Sequence, residues 1–195
     1  MRKAWFAAAV MLATVMPVRA QSTWEIDPAH SSIGFSIRHM MVSNVRGHFG
    51  KFSGTVKANE KDLTESTVEA TIDVASIDTG NAKRDEHLRS PDFFDVAKFP
   101  TMTFKSRKIT PAGDKKWKVT GDLTMHGVTK EVTLDVEGPT AEVKDPQGKV
   151  RAGATATTKL SRNDFGLTWS KTLDGGGLVL GDDVNVTIEV EGVKK

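Results

Sequence analysis

The chain has no cysteine and no tyrosine among its 195 residues. Without cysteine there is no disulfide framework, no thiolate metal site and no cysteine nucleophile, so stability has to come from burial. Without tyrosine, and with charge along nearly every polar strand face, the chain lacks the aromatic girdle and lipid-facing band of an outer-membrane barrel. Neither sign of charge dominates: 27 Lys+Arg face 25 Asp+Glu, and three of the cations, Arg2, Lys3 and Arg19, precede the expected mature chain. An evenly mixed surface offers no basic stripe to a phosphate backbone, so nucleic acid is not expected as a partner. The apolar run Ala4 to Val15 is short of the ~20 residues a membrane-spanning helix needs. It follows Arg2-Lys3 and precedes Val18-Arg19-Ala20, the pattern of a secretory signal peptide over residues 1–20. The mature protein is therefore expected to begin at Gln21, as a single domain over 21–195, and no cysteine stands there to carry a lipid anchor.

What is present is alternation. From Lys116 to Glu137 apolar residues fall at every second position on both sides of His126-Gly127, the period of a strand with one dry and one wet face. A two-residue turn with Gly second suits type I′, where both central residues take positive φ. Folding there puts Met125 opposite Val128, Leu123 opposite Lys130, Gly121 opposite Val132, Val119 opposite Leu134 and Trp117 opposite Val136. The wet face pairs Lys118 with Asp135 and Lys116 with Glu137, and sets Asp122 against Glu131. A slip of one residue would wet every apolar group.

The same period recurs along the chain. Ile33, Phe35, Ile37 and His39 share one phase, with Met40 to Val45 interrupting it as a helical turn. Phe49 to Lys57 resumes it, with Gly50 and Gly54 as bends that curve a sheet. In Thr67 to Ile77, Val68, Ala70, Ile72 and Val74 face one way. Thr79 to Pro91 has the cap, mixed charges and terminal proline of a short helix. Strands return at Thr101 to Ile109, at Val150 to Leu160 with Ala152, Ala154 and Ala156 on one face, and around Val184 to Val190. Gly175-Gly176-Gly177 reads as a flexible turn. Eight or nine short antiparallel strands in one domain, punctuated by glycine, predict a closed barrel rather than a sandwich.

Catalytic patterns do not assemble. His30, His39, His48, His87 and His126 occur singly, without a His-Glu-x-x-His run, so no metal is expected. There is no Gly-x-Ser-x-Gly. Arg84-Asp85-Glu86-His87 reads as the solvated face of a short helix, His126 as a structural or solvated turn residue, and Lys130 as a cation on the dry face near the rim, either snorkelling to water or meeting an anionic head group at the mouth. His39 closes an apolar wall with a polar tip, placed to meet either a ligand head group or a backbone carbonyl. Periodicity leaves open whether the interior is filled by side chains or holds a ligand.

Several ordered motifs resemble the YceI-like family of bacterial periplasmic proteins: Phe35-Ser36-Ile37-Arg38-His39 with Gly47-His48-Phe49, Arg84-Asp85-x-His87-Leu88-Arg89-Ser90-x-Asp92-Phe93-Phe94, Gly121-Asp122-Leu123-Thr124 with Gly127-Val128-Thr129-Lys130, and Arg162-x-Asp164-Phe165-Gly166. The resemblance covers essentially the whole mature chain. It implies an all-β, eight-stranded antiparallel, lipocalin-like barrel with an apolar lumen and a short helical insertion, located in the periplasm. It further implies a carrier, not an enzyme, for a long isoprenoid or other amphipathic lipid of the quinone or polyprenyl phosphate class, with no cofactor besides that ligand. On this resemblance Phe35, Ile37, Phe49, Phe104, Leu123, Met125, Phe165 and Trp169 line the tail channel. Leu88, Phe93 and Phe94 close it, and His39, Arg84 and His87 form its polar end. An enzyme or redox partner acting on such a lipid, and a structural protein with a filled core, are the competing readings. A homodimer through an edge strand or loop stays open.

Overall fold

The alternation on either side of His126-Gly127 folds in the expected register, from Met125 opposite Val128 to Lys116 opposite Glu137. Both turn residues have positive φ, 52° and 74°, as type I′ requires. The ion pairs Lys118–Asp135, at 2.7 Å, and Lys116–Glu137, at 3.0 Å, form as paired. The like-charge pair is answered from the next strand. Arg107, displaced by a register shift between Ser106 and Lys108, places its guanidinium 2.7 Å from Asp122 and 4.0 Å from Glu131.

This hairpin is one quarter of a closed barrel in a computed structural model that describes residues 21–172 and 178–195. Eight strands run in chain order. Three are interrupted: β1 is Gln21–Ile26 continued by Ser32–His39, β2 is Ser43–Phe49 continued by Phe52–Asn59, and β3 is Thr67–Asp73 continued by Ile77–Asp78. The other five are β4 (Thr101–Gly113), β5 (Lys116–Met125), β6 (Val128–Glu137), β7 (Val150–Ser161) and β8 (Leu180–Lys194). Each pairs antiparallel with its sequence neighbour, and β8 closes the sheet by pairing with both halves of β1. A two-residue strand, Val143–Lys144, adds to the start of β7.

The breaks in β1, β2 and β3 lie where the wall must bend. Gly50 N–H donates across to Ser76 O at 3.1 Å, joining the breaks in β2 and β3. Gly54 is needed for space, since a Cβ there would stand 2.4 Å from Ile26 Cδ1. The opening segment Gln21–Ile26 is a strand that the sequence does not signal, because it is short and its alternation is carried by Trp24 and Ile26 alone. Met40 to Val42 is no helical turn. It is a tight hairpin turn, with Met40 and Met41 at φ 49° and 58°, and Ser43 already lies in β2.

The two barrel ends differ. One carries the turn at 40–42, the helix α1 (Ala82–Arg89) with its aromatic connection, the His126-Gly127 turn and the segment after Ser161. The other carries residues 60–66, 114–115 and 138–149, together with Gln21 and Lys195. The expected signal peptide and the Gly175-Gly176-Gly177 turn lie outside the described residues.

Candidate functional site

Alternation leaves the inward face of every strand apolar, and the barrel is too wide for these side chains to meet. They enclose a cavity of about 480 Å³, with Val56, Val68, Ile72, Val132, Leu134 and Val186 among its walls. That volume lies within the range of small-molecule sites, ~300–1,000 Å³. Ala154 and Ala156 face it from β7, which explains their low bulk: the space opposite them is the lumen.

Thirteen of the residues expected at the site line this cavity: Phe35, Ile37, His39, Phe49, Arg84, His87, Leu88, Phe93, Phe94, Phe104, Leu123, Met125 and Trp169. Phe165 does not. It is 1 % exposed and packs against Val74, Ile77 and Leu167, the last two of which line the cavity in its place, and its carbonyl lies 3.2 Å from His126 Nδ1. His126 also meets the Phe99 ring at 4.7 Å, the structural role expected of it. Lys130 is exposed on the strand after the turn.

The helix that closes one end is docked by its charges, which corrects their reading as a solvated face. Asn81 caps α1 by accepting from Arg84 N–H at 3.1 Å. Asp85 is buried and accepts from Thr79 N–H at 3.0 Å and Thr79 Oγ1 at 2.5 Å. Arg89 donates to the Ala75 and Ile77 carbonyls at 2.8 and 2.7 Å, tying the helix to the break in β3. Leu88 and Phe94 then pack onto the core beside Phe49. Buried polar groups so paired hold one geometry firmly, because breaking any one leaves a desolvated partner behind.

The three polar residues expected at the ligand's head stand at this helix end but differ in freedom. Arg84 Nε and Nη2 are both engaged by Thr79, at 2.7 and 2.9 Å. His87 Nε2 lies 2.8 Å from Asp92 Oδ2, and its ring meets Phe93 and Trp169 edge-on at 5.0 and 5.1 Å. Phe93 and Trp169 touch in turn at 5.1 Å, making a three-ring wall at the cavity's end. His39 enters the cavity with no hydrogen bond to another side chain among the described residues.

Sequence reading missed the role of Arg162. It is 4 % exposed and donates to the carbonyls of Leu167, of Trp169 at 2.8 Å and of Gly181 at 2.8 Å, and to Asp182 at 3.1 Å. Burial lowers its pKa from the ordinary guanidinium value, opposed by Asp182. Its work is positional, since it holds the segment that presents Leu167 and Trp169 to the lumen. The signal was there: Arg162 continues the inward phase of Ala156, Thr158 and Leu160.

The opposite end is latched by Arg151. Its Nη1 lies 2.7 Å from Asp27 and 2.5 Å from Glu191, and its Nε 2.7 Å from Asp145. The guanidinium holds the Asp27 carboxyl far below the usual carboxylate range, with His30 adding to the effect, and it lowers Asp145 too. Asp27, His30 and Glu191 have donor atoms close enough to ligate an ion. Arg151 already neutralises both carboxylates.

The chain matches the YceI-like domain over residues 24–192. A UPF0312 protein of Vibrio parahaemolyticus is 40% identical over 200 residues, covering 100% of both chains. One from Staphylococcus aureus is 36% identical over 170 residues, covering 87% of this chain and 96% of its own. Among solved structures, a Campylobacter jejuni YceI protein is 37% identical with a TM-score of 0.69, covering 87% of this chain and 96% of its own. A polyisoprenoid binding domain from Saccharophagus degradans, at 17% identity, has the same fold with a TM-score of 0.65, covering 88% of this chain and 98% of its own. With eight antiparallel strands closed around an apolar lumen and a match across nearly all the described residues, the chain belongs to the YceI-like family.

Proposed function

We propose that this is an exported, periplasmic binding protein that carries a long isoprenoid or similar amphipathic lipid, of the quinone or polyprenyl phosphate class, in its lumen. The observation that carries the reading is the cavity of about 480 Å³ with almost wholly apolar walls. A tail that buries ~0.8 kcal/mol per methylene needs no directional contact to bind tightly. The signal-peptide pattern at residues 1–20 supports the location, and the fold shared with a polyisoprenoid binding domain supports the cargo class. His39 is the group we assign to the head of the ligand, because Arg84 and His87 are already engaged. Membership of the YceI-like family and the fold shared with a polyisoprenoid binding domain support binding rather than turnover as its task.

Trp169 provides the test, since it lines the cavity and a quinone ring quenches indole fluorescence on contact. Titration of delipidated protein with a short-chain quinone is expected to give saturable quenching at one equivalent, and Trp169→Phe removes most of the signal. A linear, unsaturable response would overturn the reading.

A further inference from the structure

Four of the five large apolar side chains exposed among the described residues gather at one end of the barrel. Met40, Met41 and Val42 are 43 %, 63 % and 79 % exposed at the tip of the β1–β2 hairpin, and Leu178 beside them is 39 % exposed. Met40 N–H donates to Val179 O at 2.8 Å, so Leu178 and the hairpin tip form one patch. Val143, the other exposed large hydrophobic among the described residues, lies at the opposite end.

The patch adjoins the lumen. His39, next to Met40, lines the cavity, as do Val179 and Leu180 beside Leu178. Its turn carries a conformational cost: Met40 and Met41 adopt left-handed φ, 49° and 58°, where glycine or asparagine would be cheaper. Bulky apolar residues therefore stand at positions that backbone preference alone would not give them.

Cations flank the tip. Arg38 and Arg46 share the outer face of the same hairpin, and Lys171 lies behind Val179, whose N–H donates to its carbonyl at 2.9 Å. None of the three makes an ion pair among the described residues, whereas the nearby carboxylates Asp182 and Asp183 are already taken by Arg162 and Lys159. Arg38 donates to the Met41 carbonyl at 2.8 Å, so its guanidinium is held at the tip, and no carboxylate among the described residues neutralises it, Arg46 or Lys171. An apolar point flanked by such charge is complementary to a bilayer with anionic head groups.

We infer that residues 40–42 with Leu178 form a membrane-contact tip, which inserts into an anionic lipid bilayer and brings the cavity's helix end against it. The inference rests on the lipid-carrier reading for its purpose, since a cargo drawn from a bilayer then never crosses water. It also accounts for the exposure of these apolar side chains.

The test is flotation of the mature, delipidated protein with vesicles of phosphatidylglycerol and phosphatidylcholine, compared with phosphatidylcholine alone, and, separately, titration with farnesol in solution. The wild type is expected to float with the anionic vesicles and to be released by salt. Met41→Asp with Val42→Asp weakens this at least about tenfold, two buried apolar side chains being lost. Arg46→Gln with Lys171→Gln weakens it roughly tenfold or more at low salt. All variants should bind farnesol as the wild type does, which shows that they are folded. Absence of flotation, flotation indifferent to lipid charge, or flotation unchanged by the two aspartates would overturn the inference. Farnesol binding without flotation sinks the tip and leaves the carrier; flotation without farnesol binding does the reverse.

Discussion

At the scale of single residues, what decides the interior is which side chains are small. Ala156 is 9 % exposed and lines the lumen, with Val136 and Ile188 as its cross-strand neighbours. Ala156→Phe would push a ring into the lumen, the space proposed for the ligand. In a barrel with a true cavity this is expected to raise the stability of the ligand-free protein by about 0.5–2 kcal/mol, as cavity-filling changes do. It should also weaken lipid binding at least about tenfold, because displacing even two buried methylene groups removes ~1.6 kcal/mol. Urea unfolding and ligand titration on the same samples check both. A filled core would respond oppositely, losing about 1–3 kcal/mol to overpacking. Residues such as Phe35, Ile37 and Leu123 were legible from sequence because their strand phase dictates which way they point. Phe165 was misplaced because it sits in a short 3-10 turn, Arg162–Phe165, where that phase no longer applies.

At the scale of elements, the β5–β6 hairpin could be read down to its cross-strand pairs, because its register is set by one turn and one dry face. The bulge at Arg107 could not, since it answers a like-charge pair on two other strands. Nor could the docking of α1, where Asp85 and Arg89 look from sequence like any exposed charges. The Arg151 latch is of the same non-local kind, joining Asp27, Asp145 and Glu191 from three separate stretches of chain. Asp27 and Asp145 titrate below their ordinary range in the folded protein, so their pairing stabilises it above the unfolded carboxylate pKa of about 4. That contribution is lost as pH falls from about 4 through the depressed folded values. Arg151→Met is therefore expected to show its full deficit in urea unfolding at neutral pH, and a shrinking one as the pH is lowered below about 4. A deficit that stays constant across this range would show that the latch acts through packing alone.

At the scale of the whole molecule, a barrel of eight strands leaves a lumen whose occupancy the strand pattern does not reveal. Alternation alone reads equally as a packed interior or a binding site, and only the distance across the closed sheet separates them. Here the sheet closes around about 480 Å³, latched by polar groups at one end and edged by aromatic rings and an exposed apolar tip at the other. The proposed occupant of that space is an amphipathic isoprenoid lipid. Native mass spectrometry of protein purified from its own compartment without detergent, followed by solvent extraction, tests it most directly. A stoichiometric adduct that releases a lipid of isoprenoid mass is expected. Protein that arrives without a ligand, and then refuses both an added quinone and an added polyprenyl phosphate, would contradict it.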